Sequence, residues 1–124
     1  MNNKDIATNF LKLAASGKID EAYDKYVDEK FIHHNAYYPG DRQSLMDGMK
    51  ENALRVPNKL FDIKRVIEDG DFVAVNSHLR MHMNSKDVEM SVVHILKIQN
   101  GKIIEMWDVG QEIPKGSPNK NGMF

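Results

Sequence analysis

No cysteine occurs among the 124 residues. That absence excludes a disulfide framework, a zinc–thiolate site and a thiol nucleophile together, and it suits a reducing cytoplasm, the expected location. An excess of one charge is also missing. Seventeen basic residues stand against 18 acidic ones, a formal net charge of −1. The basic residues are scattered rather than striped, so neither nucleic acid nor an anionic membrane is an expected partner. Apolar runs last only a few residues, far short of a membrane span. Lys4 and Asp5 precede Ile6 with no long apolar stretch behind them, so no signal peptide is expected. Nothing matches a nucleotide-binding glycine loop, a nucleophile elbow or a helical zinc-protease motif. Internal repeats and domain boundaries are absent too, which leaves one domain over 1–124. An apolar content of 41% with 28% charged residues is that of a folded chain.

The patterning that is present changes character once. Ile6, Phe10, Leu13 and Ala14 recur at helical spacing, with Asn2 or Asn3 as N-cap and Gly17 as stop. Ile19, Ala22, Tyr23, Tyr26 and Val27 repeat it, with Asp20 and Glu21 where the helix dipole favours acids. An extended segment from Phe31 to Ala36 leads to the Pro39-Gly40 turn. Asp41 then caps a third helix carrying Leu45, Met49, Ala53 and Val56, which Pro57 ends. From Leu60 the period becomes two, predicting strands Leu60–Glu68, Phe72–Met83, Val88–Ile98 and Lys102–Gly110 joined by short turns. Helices followed by an antiparallel meander are an α+β pattern. Several strands are apolar on both faces, as where Val93 and Ile95 oppose Val92 and Leu96, so sheet-to-sheet homodimerisation is expected. Residues 114–124 read as a loop-like tail whose Met123-Phe124 end suggests docking, on a dimer partner or elsewhere.

Strand parity locates the candidate chemistry. The even row from Val88 is Val88, Met90, Val92, His94, Leu96 and Ile98, one histidine in an apolar row. The even row of the last strand is Ile104, Met106 and Asp108. A three-residue Gln99-Asn100-Gly101 turn would set His94 opposite Met106, with Asp108 one diagonal step away. A two-residue turn would set Asp108 opposite Val93. The first is preferred because it keeps Ile104 and Met106 on the side of His94. With even rows aligned in the preceding hairpin, Asn76 or His78 faces His94, so His78, His94 and Asp108 would line one cavity, with cross-strand neighbours about 4.5–5.5 Å apart. Its walls would come from Phe10, Leu13, Leu45, Met49, Met90 and Met106. Burial among apolar groups disfavours a carboxylate's charge, which suits proton exchange near neutral pH. A neighbouring imidazole can donate to a developing oxyanion. The bland alternative is a buried Asp–His hydrogen bond. Metal is not expected: His78 and His82, four apart on a strand, sit about 13 Å from each other, and a site of two histidines with Asp108, though geometrically possible, has no metal-ligand spacing behind it. His33 and His34 point to opposite faces, so only one can enter the cavity.

Two segments, Phe31-Ile32-His33-His34-Asn35 and Gly101-Lys102-Ile103-Ile104-Glu105-Met106-Trp107-Asp108-Val109-Gly110-Gln111, carry a resemblance. With Val73-Ala74-Val75-Asn76-Ser77-His78 between them and Asn121-Gly122-Met123-Phe124 closing the chain, the sequence resembles SnoaL-like polyketide cyclases. These lie within the nuclear-transport-factor-two-like superfamily. The resemblance implies a cone-shaped, strongly curved, mostly antiparallel sheet wrapped around N-terminal helices, usually in a homodimer. It implies that Asp108 is an acid/base aspartate acting without cofactor or metal. It also implies that His34, Asn35, His78, Trp107 and Gln111 fall on recurrent pocket positions. Two departures stand out: His94 where relatives often carry an acid, and Asn76 where a histidine is common. The expected function is a cofactor-independent acid/base enzyme for a small carbonyl compound, by aldol-type cyclisation, isomerisation or related proton transfer. Asp108, His78 and His94 would be catalytic, while His34, Asn35, Tyr37 or Tyr38, Asn76, Trp107 and Gln111 would bind substrate. The rival expectations are a binding module of the same fold without turnover, and a dimerising scaffold.

Overall fold

The computed structural model describes residues 1–124. Three helices come first or early: α1 (Asn3–Ala15), α2 (Ile19–Tyr26) and, after strand β1 (Val27–His33), α3 (Arg42–Arg55). Strands β2 (Leu60–Asp69), β3 (Phe72–Met83), β4 (Lys86–Gln99) and β5 (Lys102–Glu112) follow. Local chemistry sets the helix ends. The Asn2 side chain accepts from the Asp5 N–H at 2.8 Å, and Asp41 accepts from the Ser44 N–H at 2.9 Å. Gly17 leaves α1 at φ +86°, in the left-handed region that suits glycine. The second helix is shorter than its apolar row suggests. Val27 is extended and begins β1, four residues before the expected Phe31, because the β-branched residue can be buried equally well on the edge of the sheet. No helix is long and apolar enough to cross a membrane.

The five strands form one sheet in the order β1-β5-β4-β3-β2, with β1 parallel to β5 and the remaining pairs antiparallel. Its three hairpins all turn on two residues. Asn84 and Ser85 (φ 52° and 62°) join β3 to β4, and Asn100 and Gly101 (φ 52° and 76°) join β4 to β5, as right-twisted strands favour. Register shifts in β1, β2 and β5 add to the bending that wraps the sheet around α1. The concave face carries Val73, Val75, Ser77 and Leu79 of β3, Val92, His94, Leu96 and Ile98 of β4, and Ile103 and Met106 of β5. Against them pack Ile6, Phe10, Leu11 and Ala14 of α1, Tyr23 of α2 and Leu45 of α3, in one core cluster with most of these strand residues. Phe10 meets Tyr23 edge-on at 5.7 Å between centroids, and Tyr23 meets Phe31 at 6.4 Å.

The turns overturn the register expected for β3. Because Asn84-Ser85 is the whole turn, Val75 pairs with His94 and His78 pairs with Ser91. Odd residues of β3 therefore share the face of the even residues of β4. His78 and Asn76 lie on the convex face, away from His94.

Candidate functional site

A cavity of about 650 Å³ lies between the concave face of β3–β5, the inner side of α1 and α3, and the loop after β1. The β4–β5 hairpin puts its chemistry in place through a bulge. The two-residue turn pairs Gln99 with Lys102 and Ile98 with Ile103, a register that would continue to Val93 opposite Asp108. The shift at Ile104 changes the count by one, so Lys97 pairs with Glu105 and His94 lies directly opposite Asp108. The expected three-residue turn is thus replaced by a shorter turn plus a bulge. Ile103, not Ile104, takes the fully buried place.

Asp108 is held from the loop after β1. Asn35 Nδ2 lies 3.1 Å from each Asp108 carboxylate oxygen. Asn35 is itself fixed: its Oδ1 accepts from the Tyr37 N–H at 2.9 Å, and its own N–H donates to His33 Nδ1 at 3.1 Å. The loop is tied to the sheet by His34 N–H donating to the Met106 carbonyl at 2.9 Å. A single amide approaching both oxygens leaves acceptor capacity on the carboxylate for a ligand. His94 faces the same space with its Nδ1 buried and unpartnered, and Phe61 meets its ring edge-on at 6.3 Å. Burial holds the His94 imidazole below the ordinary histidine range, with the Asp108 charge pulling the other way. Burial thus favours the neutral imidazole at His94.

Two further groups surround Asp108. His33 is buried on the inner side, its Nε2 without a partner; burial lowers its pKa, opposed by Asp108 and Asp41. Tyr23 is fully buried, and its hydroxyl donates to Met49 Sδ at 3.1 Å. Burial raises its pKa, against the Arg42 guanidinium 5.3 Å over its ring and together with the Asp108 charge. The parity of Phe31 and His33 on β1 was the available signal for His33. Tyr23, on a helix, offered none beyond its place in an apolar row.

The remaining expected site residues divide sharply. Asn35, Tyr37, Tyr38, His94 and Asp108 line the cavity, as do Phe10, Leu45, Met49, Met90 and Met106, whereas Leu13 packs against the core instead. Four residues fall outside it. His78 lies on the convex face, its Nε2 2.9 Å from Glu89 Oε1 and its ring stacked on Phe124 at 4.5 Å between centroids. Asn76 accepts there from Arg65 at 2.7 Å. Trp107 pairs with Ile95 on that face, and Gln111 pairs with Ser91. His34 reaches the cavity only at its rim: its ring stacks on Trp107 at 4.9 Å, and Nε2 lies 2.6 Å from Glu105 Oε2. Phe124 explains the apolar C-terminus, since it docks on this chain's own sheet rather than requiring a partner. No group of three or more His, Asp or Glu side chains is close enough to share a metal ion.

The sequence reading also passed over Gly48, Asn52 and Lys59, which line the cavity. Gly48 makes room for Tyr38, because a Cβ built there would stand 2.3–2.8 Å from three atoms of the Tyr38 side chain. Asn52 Oδ1 accepts a hydrogen bond from Lys59 Nζ.

Helices packed into a curved sheet, with a carboxylate and an imidazole facing each other in the cavity between them, define an α+β protein built around an interior cavity. The family is shown directly: the SnoaL-like polyketide cyclase model matches residues 4–115, and the chain belongs to that family. The fold agrees with solved structures. IdmH from Streptomyces antibioticus superposes with a TM-score of 0.77 at 16% identity over 90% of this chain and 93% of that one. A SnoaL-like polyketide cyclase from Agrobacterium tumefaciens gives 0.76 at 16% identity, covering 90% and 92%. An NTF2-like protein of unknown function from Cytophaga hutchinsonii gives 0.69 at 13% identity, covering 90% and 91%. No significant match to a curated protein was found.

Proposed function

We propose that the protein is a cofactor-independent acid/base enzyme acting on a small carbonyl compound, with Asp108 as general base and His94 as the donor to the carbonyl oxygen. The observation that carries this reading is the direct opposition of Asp108 and His94 across β4 and β5 inside the cavity. Asp108 takes a proton from the carbon beside the carbonyl. The C–H electron pair moves onto the carbonyl oxygen, and the neutral His94 imidazole donates a hydrogen bond to that oxygen as its charge develops. Return of the proton elsewhere completes an isomerisation. Attack of the enolate carbon on a second carbonyl, with the Asp108 proton passing to the new alkoxide, completes an aldol cyclisation. Asn35 positions Asp108, and Tyr37 and Tyr38 stand at the rim. His78, facing the other side of the sheet, is left out of the mechanism.

The test is hydrogen–deuterium exchange beside the carbonyl in a panel of ketones in D₂O, followed by NMR. Asp108→Asn is expected to lower the exchange rate about 10²–10⁴-fold while the circular dichroism spectrum stays unchanged. Equal exchange by the variant overturns the mechanism. A binding module without turnover is favoured by one feature: both Asp108 oxygens already hold the Asn35 amide, as in a fixed acceptor for a ligand. On that reading ketones bind, shift the melting temperature and exchange no faster than in buffer.

The convex face supports a homodimer as part of the same proposal. Val109 is 71% exposed and Ile67 64%, with Phe72, Val93 and Ile95 partly uncovered beside them. An apolar sheet face of this kind pairs readily with its own copy about a two-fold axis.

A further inference from the structure

The cavity has a second polar pole that the acid/base mechanism leaves unused. Lys59 is the one ammonium-bearing side chain in its lining. It stands just before β2, the edge strand at the opposite side of the sheet from β1 and the Asn35 loop. Lys25, Lys50 and Lys64 each hold a carboxylate. Lys59 holds a neutral amide oxygen, that of Asn52 on α3. Burial lowers its pKa with nothing opposing. A lysine drawn partly out of water without a counter-charge loses solvation and recovers little of it. Between the two poles the wall is apolar: Phe61, Leu79, Met90 and Val92.

We propose that Lys59, steadied by Asn52, binds a carboxylate on the ligand whose carbonyl lies at Asp108 and His94, so that the substrate class is a keto acid with an apolar spacer between its two polar ends. This assignment rests on the acid/base reading for the carbonyl end alone. Phe61, Leu79 and Met90 are level across the sheet, and Met90 lies four residues from His94 along β4, a run of about 13 Å. That run accommodates an aryl or short alkyl spacer, and a cavity of this volume is of ordinary ligand-binding size. A carboxylate arriving at Lys59 gains charge-assisted hydrogen bonds in a partly dry setting. An ester or amide of the same shape brings no negative charge and gains only the weaker bond of the ammonium to a neutral carbonyl.

The experiment compares benzoylpropionate, an aryl keto acid, with its uncharged methyl ester by isothermal titration calorimetry. The full-length protein should bind the acid on the order of tenfold more tightly than the ester. Lys59→Met should abolish that preference, lowering acid affinity far more than ester affinity, while Lys59→Arg should keep it. Asp108→Asn should leave the acid-to-ester ratio intact even if it stops exchange, so failure of the acid/base reading is separable from failure of this one. Equal affinity for acid and ester in the native protein, no binding of the acid at millimolar concentration, or a preference surviving in Lys59→Met would each overturn the proposal.

Discussion

Replacing Gly48 by alanine sets two effects of known sign against each other at the cavity mouth. In an open helix interior the change gains about 1 kcal/mol, since glycine is that much poorer than alanine. Here the new methyl group would stand 2.3–2.8 Å from three side-chain atoms of Tyr38, so the ring must leave its seat. Tyr38 is 36% exposed, leaving about two-thirds of its surface covered. A fully buried aromatic covers about 150–250 Å², so about 100–160 Å² is at stake. At about 25 cal/mol per Å² this amounts to about 2.5–4 kcal/mol, an upper bound because unfolded chains are themselves partly collapsed. The expected net result is a loss of about 1–3 kcal/mol. Urea unfolding of four proteins checks it: native, Gly48→Ala, Tyr38→Ala and the double variant. With Tyr38 already truncated, alanine at 48 should stabilise by about 1 kcal/mol. A Gly48→Ala variant stabilised by that full amount with Tyr38 present would refute the reasoning, since the ring would then not depend on the missing Cβ.

Acid should destabilise the fold through its buried histidines. His94 and His33 both have folded-state pKa values below the ordinary 6.5. As pH falls below about 6.5, the unfolded chain therefore takes up protons that the folded chain refuses. Stability declines until the folded-state values are reached, with a slope of up to about 1.4 kcal/mol per pH unit for each group. His94→Gln should flatten this slope below about pH 6.5, measured by urea unfolding, and an unchanged slope would exclude His94 as a contributor. On the convex face, if the proposed homodimer forms there, the native chain should sediment as a dimer and Ile95→Glu as a folded monomer in sedimentation velocity. A dimer that survives the substitution would place the contact elsewhere.

The fold was largely readable because its signals are local. Asn2 and Asp41 cap the helices that their positions announced, and the switch from helical spacing to alternation at Leu60 marks where the sheet begins. The pairing of Asp108 with His94 was half readable. Each sits at the right parity in its own strand, but their meeting depends on a bulge at Ile104 that no residue type signals. The opposite happened at His78. Its row looks equally suitable, yet the two-residue Asn84-Ser85 turn sends it to the convex face, because a register change by one reverses every side chain in a strand. Lys59 and Asn52 were invisible, since a lysine after a helix is ordinarily a solvated one.

Sequence alone therefore determined the element types and the two polar residues with no reason to interrupt apolar rows, for these follow from backbone periodicity and capping chemistry. The tertiary structure decided which rows share a face, which histidine enters the cavity and where a lysine loses its water. Those outcomes hang on turn length, on one bulge and on the approach of α3 to the sheet, all of which are settled by contacts between residues far apart in the chain.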